Sequence, residues 1–327
     1  MNTSPTSNPT TSRRIFLWGL SCFETSARRI VWGAALQLLL LSTATFADLS
    51  ADYQSKRSGS IGVIYSPADS VLARKTLLWT EELVKEMAVD FQLPTELDTF
   101  TIFIAASQKD FTRMTRDLPR WVAAVAIPSH HKVMLKSPAW DNQNNRYRQI
   151  LAHELMHLLL YQIVGNRALP RWLDEGLALF YSQDLRFKTL TALSKAAATR
   201  SLLSLQQIDH VLQFQPLKAE LAYEQSYSAV HYLLFTYDID ALRSILAGIR
   251  QGGDLDEIFQ QATGSLFADF EREWQHYVYD NYRWVWLSDV DEYLWVLILL
   301  LGVLAVYAIR RRNRQKMSEW ALEPDAE

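Results

Sequence analysis

Apolar positions recur at helical spacing along most of this chain, and short β-branched or aromatic runs are confined to its first half. Ile61 to Tyr65 reads as a strand, and Phe100 to Ala105 (FTIFIA) reads as a second strand able to pair with it. Between them, Pro67 stands near the start of a charged stretch through Gln92. Leu72, Leu77, Leu78, Leu83, Met87 and Val89 give that stretch an apolar side, so it predicts an amphipathic helix. Trp121 to Ile127 and Lys132 to Leu135 are extended runs around the turn Pro128-Ser129-His130-His131. From Arg146 to Val164 there is neither Gly nor Pro, which predicts an uninterrupted helix. Pro170 breaks the chain, and a second helical run opens at Trp172 with carboxylates in its first turn. After Tyr181 the pattern is helical almost throughout to Tyr279, punctuated by Gly252-Gly253 and Gly264. Strands followed by helices predict an α+β domain over residues 48–283, sheet-containing from about 58 to 190 and helical from about 191 to 283.

The two ends carry a different pattern. Tyr293 to Ile309 is 17 residues without a charge, about 25 Å as a helix and within the range that spans a bilayer. Its eleven Leu, Ile and Val side chains favour insertion by roughly 3 to 6 kcal/mol. Asp289, Asp291 and Glu292 precede it, while Arg310, Arg311, Arg312, Arg314 and Lys316 come directly after, the asymmetry of a transmembrane helix with a cytoplasmic tail over 310–327. Trp284, Trp286, Tyr293 and Trp295 would sit at the outer interface. At the other end, residues 1–12 are polar and too poor in apolar groups to pack. Ser12-Arg13-Arg14-Ile15-Phe16-Leu17 resembles a twin-arginine export motif, with a chance match an equal reading because the apolar run behind it stops at Glu24. The stronger feature is Arg28-Arg29 leading into uncharged Ile30 to Phe46, closing on Thr45-Phe46-Ala47, where small residues permit cleavage before Asp48. Residues 1–47 are therefore expected to be a disordered leader plus signal peptide. Left uncleaved, the same segment would anchor the chain and still place the domain outside. Both ends predict a single-pass protein of the bacterial inner membrane with its domain extracytoplasmic.

Composition narrows the function. With 49% hydrophobic residues and a net charge of −3, the chain is ordinary globular material and has no basic field with which to hold nucleic acid. Cys22, the one cysteine, lies in the leader, so the expected mature domain has no disulfide framework.

The chemistry sits in the Gly- and Pro-free helix. His153-Glu154-Leu155-Met156-His157 is H-E-x-x-H, and at about 100° per residue the histidines share one face a turn apart. Two imidazoles so placed can grip one ion, and zinc suits them, provided a third ligand leaves a position open for water. Glu175, on the helix after Pro170, is the candidate. Glu154, too near the histidines in sequence to ligate easily with them, is left to act as general base on the water. His130 and His131, adjacent at a turn, point apart and do not make a second site.

HELMH with WLDEGLA resembles the gluzincin metallopeptidases, and more closely the bacterial peptidase MA-like domains, from about Ile61 to Tyr279. The resemblance implies a zincin-like fold, His153, His157 and Glu175 as zinc ligands, Glu154 as base, and a peptide or protein as substrate. The spacing between His157 and Glu175 is one residue shorter than in the aminopeptidase N type, which asks for a tighter loop through Gly165 and Asn166. In gluzincins the strand beside the site binds substrate as an added strand, which by resemblance falls on Val122 to Ile127, with an ordinary hairpin the equal alternative. The Gly-x-Met-Glu-Asn pattern that holds a substrate amine in aminopeptidases is absent there, so an endopeptidase is expected. Ala222 to His231 resembles the Tyr-x-Gln-Ser helix of peptidase MA-like domains, with Tyr223, Tyr227 and His231 at i, i+4 and i+8. Tyr223 is the leading candidate for an oxyanion donor, Tyr227 and His231 the alternatives, and an aromatic core stripe the competing reading. A non-catalytic zinc-fold binding or assembly module of the envelope is the alternative function. It would have no need of Glu154, and structural zinc sites usually take four protein ligands.

Overall fold

The computed structural model describes residues 52–93, 98–115, 118, 122–141, 144–183, 190–285 and 291–320. The leader, its export motifs and Trp121 lie outside them. A five-stranded sheet of order β1-β2-β3-β5-β4 opens the domain. Its strands are β1 (Gln54–Ser58), β2 (Ile61–Tyr65), β3 (Phe100–Ala105), β4 (Ala124–Ile127) and β5 (Lys132–Lys136). The inner strands β2, β3 and β5 run parallel, and the two outer strands pair antiparallel to their neighbours. β1, with the sequence QSKRS, is exposed at every position and has no apolar alternation. It is held by backbone pairing to β2 across a turn in which Gly59 takes a φ of 54°.

Alternation sorts the central strands onto two faces. Ile102, Ile104, Val133, Leu135, Ala124 and Ala126 enter the main core. Phe103, Ala105, Met134 and Val125 enter a smaller one with Phe111 of helix α2 (Gln108–Thr115). Helix α1 (Ser70–Phe91) packs on the main face through Ala73, Thr76, Leu77, Thr80, Leu83, Met87 and Phe91. Leu78 and Val89 belong to the predicted apolar side but lie 65% and 74% exposed. The helical repeat turns them away from the narrower stripe that the sheet covers.

After the short helix α3 (Pro138–Asp141), helix α4 (Tyr147–Val164) is buried around most of its circumference, as its all-round apolar sequence requires. The sheet lies on one side of it and the helical region on the other. Gly165 closes it at φ 67°, and the chain turns into α5 (Arg171–Ser182) and then α6 (Thr191–Thr199). α7 (Pro216–Gln251) runs 36 residues with a break at Asp238. It packs on α5 at Gly176, where a Cβ would stand 2.4 Å from the Ser226 carbonyl oxygen. Only glycine permits that approach. α7 stops at Gly252 and α8 (Leu255–Thr263) at Gly264, both left-handed, as the glycine punctuation predicts. α9 (Phe267–Tyr282) adds Phe267 and Phe270 to an aromatic group around Trp172. α10 (Asp291–Trp320) contains one candidate membrane span, Leu294–Arg314, of mean hydropathy 2.0 and with none of its apolar window buried. The chain is thus a mixed N-terminal sheet, a mostly helical region and one long apolar C-terminal helix.

Candidate metal centre

α4 presents His153 and His157 one turn apart with their Nε2 atoms 3.3 Å from each other. α5 brings Glu175 Oε2 to 3.6 Å from the first and 3.9 Å from the second. The three side chains are buried, and their ligand atoms all lie within 4.8 Å of one another. Among the described residues this is the group of His, Cys, Asp or Glu able to hold an ion. His130 and His131 are not in it.

The donor set can be tested against zinc. Two imidazole nitrogens about 2.05 Å from one ion at tetrahedral angles stand about 3.3 to 3.4 Å apart. The histidine separation of 3.3 Å meets that value, and the carboxylate oxygen, at 3.6 and 3.9 Å from the two nitrogens, is within reach of it by a small side-chain shift. His157 Nδ1 donates to Asp174 Oδ1 at 2.8 Å, which turns the lone pair of Nε2 toward the shared point. These residues fit the ion.

Charge in the cluster is set by burial and close neighbours. Burial alone would lower the pKa of His157, but the bonded Asp174 carboxylate, with Glu175 and Glu154 behind it, pushes it up to about 9. Burial would likewise raise Glu175, yet Arg171 first and then the two histidines pull it down to about 2. Glu154 is raised by burial, which the histidines and a backbone hydrogen bond from Ala126 only partly offset. Its Oε2 is buried with no hydrogen-bond partner among the described residues. Through Ala126, the outer strand β4 touches the site.

α7 supplies the far wall. Tyr223 is buried, and desolvation raises its pKa well above 10 with further help from Glu175, while Arg171 opposes. It feels Glu154 and Asp174 as well, so the charges around its ring are those of the metal cluster. Tyr227 and His231 are shifted by burial alone, and no charge of the cluster reaches them. Of the three, Tyr223 is the one whose shift includes the cluster's charges, while Tyr227 lies against Phe180 and His231 stacks on Phe235. The rest of the Tyr-x-Gln-Ser turn is structural. Glu224 Oε2 accepts from the Leu193 amide at 2.7 Å near the start of α6. Gln225 pairs with both backbone groups of Leu203, at 2.9 and 2.8 Å, and Ser226 lies under Gly176.

Sequence reasoning missed three contributors. Asp174 orients His157. Arg171 Nη2 stands 2.9 Å from Glu175 Oε1, and Gly176 admits α7. A signal was available for all three: they lie within four residues of Glu175, with Arg171 at i−4 and Asp174 beside it, so less than two helical turns hold ligand, orienting groups and packing point.

A His-His-Glu cluster on α4 and α5, beside the outer strand of a mixed sheet, defines a domain able to hold a metal ion. Residues 83–280 match the family model of the Peptidase MA superfamily, and the chain belongs to that superfamily. A search of curated proteins finds no match.

Proposed function

We propose that the protein is a membrane-anchored zinc-dependent endopeptidase, with His153, His157 and Glu175 as ligands and Glu154 as general base. The observation that carries this reading is Glu154 itself. Burial sets a carboxylate beside the ligands with one oxygen unpaired among the described residues, a cost that a purely structural metal site has no reason to bear. When bound, zinc would polarise a carbonyl and acidify a water molecule. Glu154 accepts the proton of the attacking water and returns it to the leaving amine, a transfer favoured by its raised pKa. Tyr223 stays protonated because its pKa is raised, and it donates to the oxygen that gains charge as the carbonyl becomes tetrahedral. An extended peptide adds to β4, which is bonded on one side to β5 and lies at the end of the sheet. The absence of Glu from Val122 to Ile127 favours internal cleavage over removal of N-terminal residues.

The span within α10 supports membrane anchoring. The acidic residues before it and the arginines after it support an extracytoplasmic domain with a cytoplasmic C-terminus in a bacterial inner membrane. The decisive experiment uses the full chain in detergent. It should carry about one zinc and cleave an unfolded protein such as casein, and Glu154→Gln should keep the zinc while hydrolysis falls about 10²-fold or more. Equal hydrolysis by Glu154→Gln, or none by the zinc-loaded wild type, would replace this reading with a non-catalytic envelope module.

A further inference from the structure

Arg171 is the first residue of α5, and its backbone amide donates to Asp209 Oδ1 at 2.9 Å, which fixes where its side chain starts. The guanidinium then lies over the first turn of its own helix. Nη2 is 2.9 Å from Glu175 Oε1, and Nη1 is 3.6 Å from Asp174 Oδ2. The opposite oxygen of each carboxylate does the metal-directed work. Glu175 Oε2 faces the two Nε2 atoms, and Asp174 Oδ1 takes the Nδ1 proton of His157. One cation thus forms ion pairs with the rear oxygen of a ligand and with that of the group that orients another ligand, the first by close approach without hydrogen-bond alignment.

We propose that Arg171 is a positioning residue that restricts Glu175 to one-oxygen ligation and holds Asp174 against His157. The inference rests on the metal-site reading above and adds a cause for its coordination number. Glu175 is 1% exposed with the guanidinium beside it, so Arg171 screens its Oε1 from solvent. Without the arginine, both carboxylate oxygens are free to turn to the ion, and a two-oxygen grip would fill the position that the attacking water needs. Lysine does not restore the arrangement, because a single ammonium cannot serve two carboxylates in one plane.

The test uses the full chain in detergent, loaded with zinc or with Co²⁺ as a spectroscopic probe, and the variants Arg171→Met and Arg171→Lys. Both variants are expected to bind zinc about 10- to 100-fold more weakly in competition with a chelating dye, because Asp174 no longer holds His157 in place and this outweighs the added oxygen. In both, the visible Co²⁺ absorption should weaken and shift as the coordination number rises. Melting of the metal-free forms identifies any loss of fold. Should Arg171→Met not fold, Arg171→Lys alone decides. Wild-type zinc affinity and a wild-type Co²⁺ spectrum in the folded variants would overturn the inference while leaving the metal site standing. Failure of the wild-type protein to bind either ion would overturn both.

Discussion

α4 and α10 are both long, strongly apolar helices, and they end in opposite surroundings. α4 lies between sheet and helices with thirteen of its 18 residues buried, whereas the apolar window of α10 has no protein over any of it. Apolar residues all round a helix say that it avoids water and not what replaces the water. The polar residues tell the two apart. α4 holds His153, Glu154 and His157 in mid-helix, where burial is costly unless each is paired or used, so their presence marks a site. α10 keeps its charges to the ends, the pattern that a candidate membrane span requires.

The difference is broken most severely by placing one charge in each helix. Leu155 is 1% exposed, and Leu155→Asp should cost more than about 4 kcal/mol and abolish the folded domain, because nothing pairs with the new carboxylate. Leu299→Asp should leave domain melting unchanged and weaken insertion by about 3 kcal/mol. Circular dichroism and alkaline extraction of membranes read the two effects. A folded Leu155→Asp protein would refute the contrast.

A single oxygen comes next. Tyr223→Phe should lower turnover about 10²- to 10³-fold with zinc content unchanged, since the bond matters chiefly in the transition state. A silent Tyr223→Phe beside an impaired Tyr227→Phe or His231→Ala would move the donor along α7. A single methyl group is the sharper comparison. Gly176→Ala drives a Cβ to 2.4 Å from a carbonyl oxygen and should destabilise by about 1 to 3 kcal/mol, whereas Gly302→Ala in α10 meets nothing within 4 Å and should be neutral. Thermal melts of both variants decide it, and equal losses would mean that α5 and α7 do not cross at Gly176.

The smallest effect is graded by pH. In the metal-free protein, His157 has its pKa pushed up to about 9, above its ordinary value near 6.5. Its contribution to stability is therefore complete below about pH 6.5 and is lost as pH rises through about 9. Zinc must displace that proton, so apparent affinity should climb up to tenfold per pH unit until about pH 9 and then level. Calorimetry in buffers of differing ionisation heat counts the proton released, and a flat affinity profile from pH 7 to 9 would remove His157 from the ligand set.

Much of this was readable from residue order. The helix from Arg146 to Val164, the strands at Ile61 and Phe100, and the glycine stops at 252 and 264 come from local pattern, and so do the three residues that cluster. What escaped depends on partners distant in sequence. β1 has no apolar signature because what orders it is mainly backbone pairing with β2, which asks nothing of its side chains. The exposure of Leu78 and Val89 depends on how much of α1 the sheet can cover. Spacing puts Tyr223, Tyr227 and His231 on one helical face, and what sets Tyr223 apart is the effect of the cluster's charges on it, which depends on packing distant in sequence.

The crossing of α5 and α7 at Gly176 has a consequence for how the gene can vary. Around Tyr223 to Ser226 four successive residues of α7 point in four directions, and each is engaged: Tyr223 is buried under the influence of the cluster's charges, Glu224 bonds α6, Gln225 bonds the backbone at Leu203, and Ser226 donates its hydroxyl to the Ala222 carbonyl while its own carbonyl lies against Gly176 of α5. A helix with one idle face tolerates change every third or fourth residue. This turn has no idle face, so a saturation-mutagenesis map should show an unbroken block of intolerance here, in contrast to the region of Phe235, which is 69% exposed. Drift in the sequence could then relax everything else in the helix before it loosened the turn that carries the tyrosine.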